Sequence, residues 1–253
     1  MTNQPPNPLH EHQKDSNDLV LSFQALRQFL GTLGFVLPVA LLAYVHATGR
    51  GIEDSISDFY YTPMGDFLVG VLSAIGVFLL CYKGFKPMPG EWITDRRVAT
   101  LAGIGALGVA LFPVKREGQP PCNWLAPDCI TYGSSIHPNT LHYGSAALFF
   151  LCLALFCLVL FTRGDRDDAG RMIWTPRNRF YTACGLVILA AILALAGYKL
   201  LPGLQPRLDA VNYVFWWETV GILAFAASWL VKGKAPQSLA RAGADMMRKV
   251  RGS

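Results

Sequence analysis

Apolar residues in this chain are gathered into long stretches that almost completely exclude charge. There are six such stretches: Gln28–Val45, Phe67–Tyr82, Val98–Val114, Leu141–Thr162, Phe180–Tyr198 and Val211–Val231. One residue within them, Glu218, is charged at neutral pH. Since a helix needs about 20 mostly apolar residues to cross the ~30 Å hydrocarbon layer of a bilayer, the pattern predicts six transmembrane helices. The predicted fold class is therefore an all-α, polytopic membrane protein.

Polar segments flank this apolar region at both ends. Residues 1–25 are polar and contain three prolines, which predicts a mobile N-terminal tail. Residues 26–232 form the predicted six-helix membrane domain, and residues 233–253 form a basic tail. In that tail Leu239, Ala242, Met246 and Val250 recur at helical spacing, so a helix lying on the inner membrane surface and a solvated tail both remain open.

Composition supports the membrane interpretation. The 253 residues are 52% hydrophobic and 15% charged, whereas soluble chains carry about 25% charged residues. A soluble bundle would leave too little polar surface to cover six such segments, and a disordered chain would contain far fewer apolar residues. These considerations exclude a soluble globular enzyme and a disordered protein.

The distribution of lysine and arginine predicts the topology. The chain has 22 of these residues, and an arrangement with both termini in the cytoplasm leaves only five in outer loops: Arg50, Lys115, Arg116, Lys199 and Arg207. The positive-inside rule therefore favours the N-in/C-in orientation. The excess of lysine and arginine in the cytoplasmic segments also accounts for the net charge of +5. We expect membrane lipids as partners and no nucleic acid, because no basic stripe with interleaved aromatic residues occurs.

Glu218 is the first candidate for chemistry. An ionisable side chain in the middle of a membrane helix costs about 2.5–3.5 kcal/mol, so it is a functional candidate by default. A neutral Glu218 that forms a hydrogen bond to a neighbouring helix is the structural alternative. A metal ligand, a proton carrier and a general base are the functional ones.

The predicted helix directions bring other polar side chains to the same end of the bundle. With the N-terminus inside, this outer end carries two histidines, two acids and two serines: His46, His142, Asp58, Asp66, Ser55 and Ser57. His137 lies just before the fourth helix. Each of these residues also has a structural explanation. Asp66, for example, falls in a predicted first helical turn, where the helix dipole favours an acid. As a group with Glu218 they predict an outward-facing polar site.

Two cysteines, Cys122 and Cys129, lie in the second outer loop. A structural disulfide is plausible if that face is oxidising. Unpaired thiols and a redox-active pair are the alternatives. The other cysteines, Cys81, Cys152, Cys157 and Cys184, lie in predicted membrane helices, where cysteine behaves as a small apolar residue.

Most of the chain, from about Leu30 to Lys234, resembles a known family. The order SISDFYYTPMGDFLVG, a small-residue helix ending in Leu-Phe-Pro, and a histidine near the start of helix four are similar to bacterial six-helix membrane proteins of unknown function. Those proteins are distantly similar to the alkaline ceramidase and adiponectin-receptor superfamily of membrane hydrolases. The resemblance implies a location in the bacterial cytoplasmic (inner) membrane.

In that superfamily a serine, an aspartate and three histidines near one membrane face bind zinc for hydrolysis of lipid amides. The resemblance assigns these roles to Ser57 (or Ser55), Asp66 and His142 (or His137). The paired histidines of the last helix have no counterpart, and Glu218 stands there instead.

The predicted function is hydrolysis of a lipid amide or ester at a metal-dependent membrane site. Zinc would be held by His142, Asp66 and His137, with Glu218 as ligand or base and Ser57 orienting the water, because three such ligands and an open water position describe a catalytic zinc site. Two further hypotheses stay open. One is a proton-coupled carrier for a small solute, with Glu218 titrating, and the other is a non-catalytic lipid-binding or assembly subunit.

Overall fold

The structure, a computed structural model, describes residues 8–85, 90–114, 138–163 and 174–251. Within these ranges the chain is helical and contains no strand. The α-helices are α1 (Pro8–Thr48), α2 (Gly65–Cys81), α3 (Asp95–Leu111), α4 (Pro138–Leu155), α5 (Pro176–Leu200), α6 (Gln205–Asp209) and α7 (Tyr213–Arg251). Short 3₁₀ helices span Ser57–Tyr61 and Pro202–Leu204, and a π-helical turn, Phe156–Leu160, continues α4.

Each of the six apolar stretches largely coincides with one helix: α1, α2, α3, α4 with its π-helical turn, α5 or α7. Four helical segments are long and apolar enough to cross a membrane: Gln24–Thr48, Asn139–Leu160, Pro176–Leu200 and Tyr213–Gly233. Helix α2 is apolar but shorter. The prediction of an all-α, multi-pass membrane protein is therefore confirmed. The count of six spans stays a prediction.

Helices α1 and α7 extend beyond the predicted membrane domain. Helix α1 already begins at Pro8, within the segment predicted to be a mobile tail, and α7 runs without a break to Arg251. Hydrophobic patterning marks where lipid contact ends, but a helix can continue past that point because its backbone hydrogen bonds are internal. The sequence pattern therefore placed the membrane stretches better than the helix ends.

The helices alternate in direction along the chain. Helix α3 packs between α2 and α4, α7 packs along α1 and α5, and α5 also contacts α4. Small residues make the central position of α3 possible, and the structure buries Ala99, Ala102, Gly103, Ala106 and Gly108. Gly105 lies directly against the backbone of α4. A Cβ there would lie 2.8 Å from the Phe149 amide nitrogen and 2.9 Å from the Ser145 carbonyl oxygen.

Large apolar side chains also cover the outside of the bundle. Leu193 is 72% exposed, and Phe35, Ile104 and Leu186 are about half exposed. Monomeric soluble proteins rarely present such continuous apolar surface. In a bilayer these side chains face hydrocarbon, which agrees with the apolar spans.

The bundle has two ends with different contents. The His142 end comprises the ends of α1, α3 and α5 and the beginnings of α2, α4 and α7. The Trp229 end comprises the opposite ends of the same helices. There the Trp229 ring is surrounded by Phe156 at 5.1 Å, Tyr82 and Phe161 at 5.3 Å and Phe225 at 5.8 Å, measured between ring centroids. Such ring pairs pack edge to face and stabilise beyond their buried area.

Candidate functional site

The loop between α1 and α2 folds back into the His142 end instead of remaining on the surface. Ile56 and Phe59 are buried there, and they hold the 3₁₀ turn that carries Ser57. Gly65 lets this turn lie against the start of α2, because a Cβ at that position would overlap the Tyr60 carbonyl oxygen. Ser57 is thereby 9% exposed, although it lies in a loop.

Ser57 and His142 form a hydrogen-bonded pair. The Ser57 Oγ lies 3.0 Å from His142 Nε2, and His142 Nδ1 lies 2.6 Å from the Phe112 carbonyl oxygen. A carbonyl oxygen only accepts, so Nδ1 carries the imidazole proton in the neutral ring. Nε2 is then the free acceptor, and the Ser57 hydroxyl donates to it. This is the arrangement in which an imidazole activates a hydroxyl nucleophile.

Helix α3 supplies the carbonyl that orients the imidazole. It ends at Leu111, so Phe112 is its capping residue. Carbonyls at a helix C-terminus lack a partner within the helix and need another donor. His142, which is 3% exposed in the first turns of α4, provides that donor. The close approach of α3 to α4 at Gly105 brings the two groups together.

Glu218 fixes the backbone just before Ser57. Its Oε2 accepts a hydrogen bond from the Ile56 amide at 2.7 Å. Nearby, the Phe215 amide donates to the Asp54 carbonyl at 2.9 Å, and the Asn212 side chain donates to the Ile52 carbonyl at 3.0 Å. The beginning of α7 therefore holds the loop from Ile52 to Ile56 in place.

The neighbouring serine, Ser55, has a different role. Its hydroxyl donates to Asp58 Oδ2 at 2.7 Å and accepts from the Asp58 amide at 3.1 Å. These two bonds close a local turn of the kind that serine often forms. Of the two serines that the sequence offered, Ser57 is the one that contacts His142.

The pair borders a cavity of about 360 Å³ between α4, α5, α7 and the folded-back loop. Its polar lining includes Asp58 and Glu218 in addition to Ser57 and His142, while most of the wall is apolar. The apolar residues are Val114, Ala146, Ala147, Phe150, Ile192, Leu195, Ala196 and Val214. An apolar cavity with a few convergent polar groups is the usual form of a small-molecule site.

Other predicted site residues lie elsewhere. Asp66 is exposed in the first turn of α2, and His46 is exposed in the last turn of α1. Neither is among the residues that line the cavity. Burial raises the pKa of Tyr60, and the nearby Asp66 carboxylate raises it further. His137, Cys122 and Cys129 lie outside the described residues.

The predicted zinc site can be compared with these donors. In the part of the chain that the structure describes, no three His, Cys, Asp or Glu side chains are grouped closely enough to hold a metal ion. Both ring nitrogens of His142 are already engaged, by Ser57 and by the Phe112 carbonyl. The described donors therefore do not make up the zinc ligand set by themselves, and zinc binding stays a prediction.

Two features of the site had no signal in the sequence. The Phe112 carbonyl is a main-chain group and cannot be read from residue type. Lys199 and Tyr143, whose side chains lie 3.0 Å apart between Nζ and the hydroxyl oxygen, line the cavity from α5 and α4. Lys199 looked like an ordinary loop cation because the sequence pattern ends its helix one residue earlier.

These observations define the class of the protein as a helical, multi-pass membrane protein with a serine–histidine pair beside an apolar cavity. A family model described as "Protein of unknown function (DUF998)" matches residues 29–231, and the chain belongs to that family. Comparisons with curated proteins and with solved structures find no significant match.

Proposed function

We propose that this protein hydrolyses an ester or amide of a membrane lipid, with Ser57 as nucleophile and His142 as general base. The observation that carries the proposal is the alignment of three groups: the Ser57 hydroxyl, the His142 ring and the Phe112 carbonyl. General acid–base catalysis by a positioned side chain requires hydrogen-bond contact with the group that loses the proton, and 3.0 Å meets that requirement.

The proposed reaction has two steps. First, Ser57 Oγ attacks the carbonyl carbon while His142 Nε2 takes the hydroxyl proton, and the imidazolium returns that proton to the departing alkoxide or amine. A water molecule then attacks the acyl-Ser57 ester and loses a proton to Nε2. The imidazolium returns this proton to Ser57 Oγ as the bond to the acyl group breaks, which releases the acid and restores the hydroxyl. The Phe112 carbonyl keeps the Nδ1 proton in place throughout, so Nε2 faces the hydroxyl.

Glu218 has a positioning role in this proposal. Its carboxylate holds the amide of Ile56, the residue before Ser57, at 2.7 Å. Loss of that bond would free the turn that aims the hydroxyl at His142. Misplacing a reacting group by about 1 Å can cost about a hundredfold in rate.

Six spans with both termini in the cytoplasm are part of the proposal. Helices α2 and α3 would cross with the four longer ones, which places the His142 end at the outer face. A fluorescent protein fused after Ser253 should then fluoresce, since it folds in the cytoplasm. Alkaline phosphatase fused at the same point should be inactive. An active phosphatase fusion and a dark fluorescent-protein fusion would instead place the C-terminus outside the cytoplasm and contradict this orientation.

The catalytic proposal is tested with a fluorophosphonate probe and a p-nitrophenyl ester. The purified protein should be labelled at Ser57 and should hydrolyse the ester. Ser57→Ala should lose both properties, whereas Ser145→Ala, which removes a hydroxyl from α4 outside the cavity, should keep them. Labelling that persists in Ser57→Ala, or a wild-type protein inert to both reagents, would contradict the proposal.

A non-catalytic lipid-binding subunit is the second candidate. The mostly apolar wall of the cavity favours it, because such a wall suits an acyl chain whether or not a reaction follows. This candidate predicts retention of a co-purified lipid without turnover, and retention should be unchanged in Ser57→Ala. The proton-coupled carrier stays an untested alternative.

A further inference from the structure

The cavity beside Ser57 has an uneven rim, and the exposed lining residues show where it opens. Asp54 is exposed in the folded-back loop, while Tyr143 and Ala147 are exposed on α4, and Ala196 and Lys199 are exposed on α5. Tyr143 and Ala147 are one helical turn apart, and so are Ala196 and Lys199. The opening therefore continues from the loop down the side of the bundle, as a slot between α4 and α5.

This slot lies within membrane-spanning segments. Its α4 side belongs to Asn139–Leu160 and its α5 side to Pro176–Leu200, both long and apolar enough to cross a bilayer. A side opening at that height faces lipid instead of water. Leu193, on α5 close to Ala196, is 72% exposed and marks the same outer surface.

The residues along the slot change with depth. Near the end of the bundle, the Lys199 ammonium donates to the Tyr143 hydroxyl at 3.0 Å and lies 4.6 Å from the centre of that ring. Lysine and tyrosine are typical of the level of lipid headgroups. One turn deeper the slot is bordered by Ala147 and Ala196, whose small side chains leave room between the helices.

The size of the cavity limits what enters. At about 360 Å³ it is near the lower end of the range for small-molecule sites. A single hydrocarbon chain fits such a space better than the paired chains of a diacyl lipid. The polar groups at its inner wall, Ser57 and His142, stand where the polar end of that chain would lie.

We infer that the substrate is a membrane-resident ester or amide with one long acyl chain, which reaches Ser57 sideways from the bilayer through the slot between α4 and α5. The chain lies between Ala147 and Ala196, and the headgroup stays at the level of Lys199 and Tyr143. This inference rests on the proposed function, and it adds the route and the kind of lipid.

The test is to close the slot and compare two substrates. Ala196→Trp should lower kcat/KM for p-nitrophenyl palmitate in lipid nanodiscs by about tenfold or more, because the bulky ring excludes the chain. Activity on p-nitrophenyl butyrate should fall far less than activity on the palmitate ester, because this short soluble ester can enter beside Asp54 and does not need the slot. Ala190→Trp is the matched control, since Ala190 is exposed on α5 outside the cavity and should leave both activities unchanged.

A second measurement does not depend on turnover. A photoreactive palmitic acid should crosslink to peptides of α4 and α5 that contain Ala147 and Ala196, and Ala147→Leu should reduce that labelling. This variant also replaces Ala196→Trp if the latter does not fold.

The outcomes separate the two proposals. If Ala196→Trp and Ala147→Leu both hydrolyse p-nitrophenyl palmitate and p-nitrophenyl butyrate as the wild type does, lateral access is wrong. The catalytic pair would still stand in that case. Hydrolysis of neither ester by the wild-type protein would overturn both. Selective loss of palmitate hydrolysis supports both.

Discussion

The two ends of the helix bundle differ in what surrounds their polar groups. At the His142 end, Ser57 and His142 border a cavity of about 360 Å³. At the Trp229 end, Arg27 is 6% exposed and its Nε donates to the Tyr82 hydroxyl at 3.2 Å. The Lys232 ammonium lies 5.1 Å from the centre of the Phe161 ring. The same bundle thus combines an open polar site with a closed aromatic one.

This difference indicates a division of roles. Polar groups that are packed against rings are held by cation–π contacts and hydrogen bonds, and they leave little space for a ligand. Polar groups that line a cavity can contact a ligand. Substitutions at the His142 end should therefore affect turnover, and substitutions at the Trp229 end should affect stability.

The largest expected effect is that of His142→Ala. Without the imidazole, Ser57 has no base, so ester hydrolysis should fall by about a thousandfold or more. The midpoint of thermal unfolding in detergent should change much less than for a substitution at Trp229. If unfolding changed more than turnover, the two ends would not differ as proposed.

Trp229→Ala should have the opposite effect. Removal of a fully buried ring that contacts Tyr82, Phe156 and Phe161 should lower the free energy of unfolding by about 3–5 kcal/mol. Activity per folded molecule should remain near wild type, as measured by the butyrate ester after folded protein is quantified. A matched loss of specific activity would show that the aromatic cluster also shapes the site.

Gly105→Ala links helix packing to the site. The new Cβ would push α3 away from α4 and cost about 1–3 kcal/mol of stability. Because Phe112 follows directly after α3, the shift should also loosen its carbonyl from His142 and lower kcat more than it changes KM. Gly144→Ala is the control, since a Cβ there meets nothing within 4 Å and should be neutral.

Glu218→Gln should have the smallest effect. The amide oxygen can still accept from the Ile56 amide, so hydrolysis should fall by no more than about fivefold, in line with about 1 kcal/mol for a hydrogen bond. Glu218→Ala removes the acceptor and should lose more. A Gln variant as inactive as the Ala variant would instead assign the carboxylate a role as base, ligand or proton carrier.

The helices, and the end of the bundle at which Ser57, His142 and Glu218 lie, were predictable from the sequence. The cost of placing charge in hydrocarbon excludes charge from membrane-spanning segments, so a long apolar stretch can be recognised from the local sequence alone. Strict alternation of helix direction then brought Ser57, His142 and Glu218 to one end of the bundle. The extension of α1 to Pro8 had no apolar signal in the sequence, whereas the helical spacing of Leu239, Ala242, Met246 and Val250 already left a helix open in the segment where α7 continues.

The chemistry of the site depended on tertiary structure. Whether Ser57 or Ser55 faces the imidazole is set by a local turn around Asp58, and which ring nitrogen is free is set by a main-chain carbonyl from another helix. The distance between those helices depends on Gly105, which the sequence shows only as one small residue among several. By itself, the sequence determined which segments are apolar enough to enter a membrane, because hydrophobicity adds along the chain. Only the fold decided which polar groups meet, because hydrogen bonds depend on distances between residues far apart in sequence.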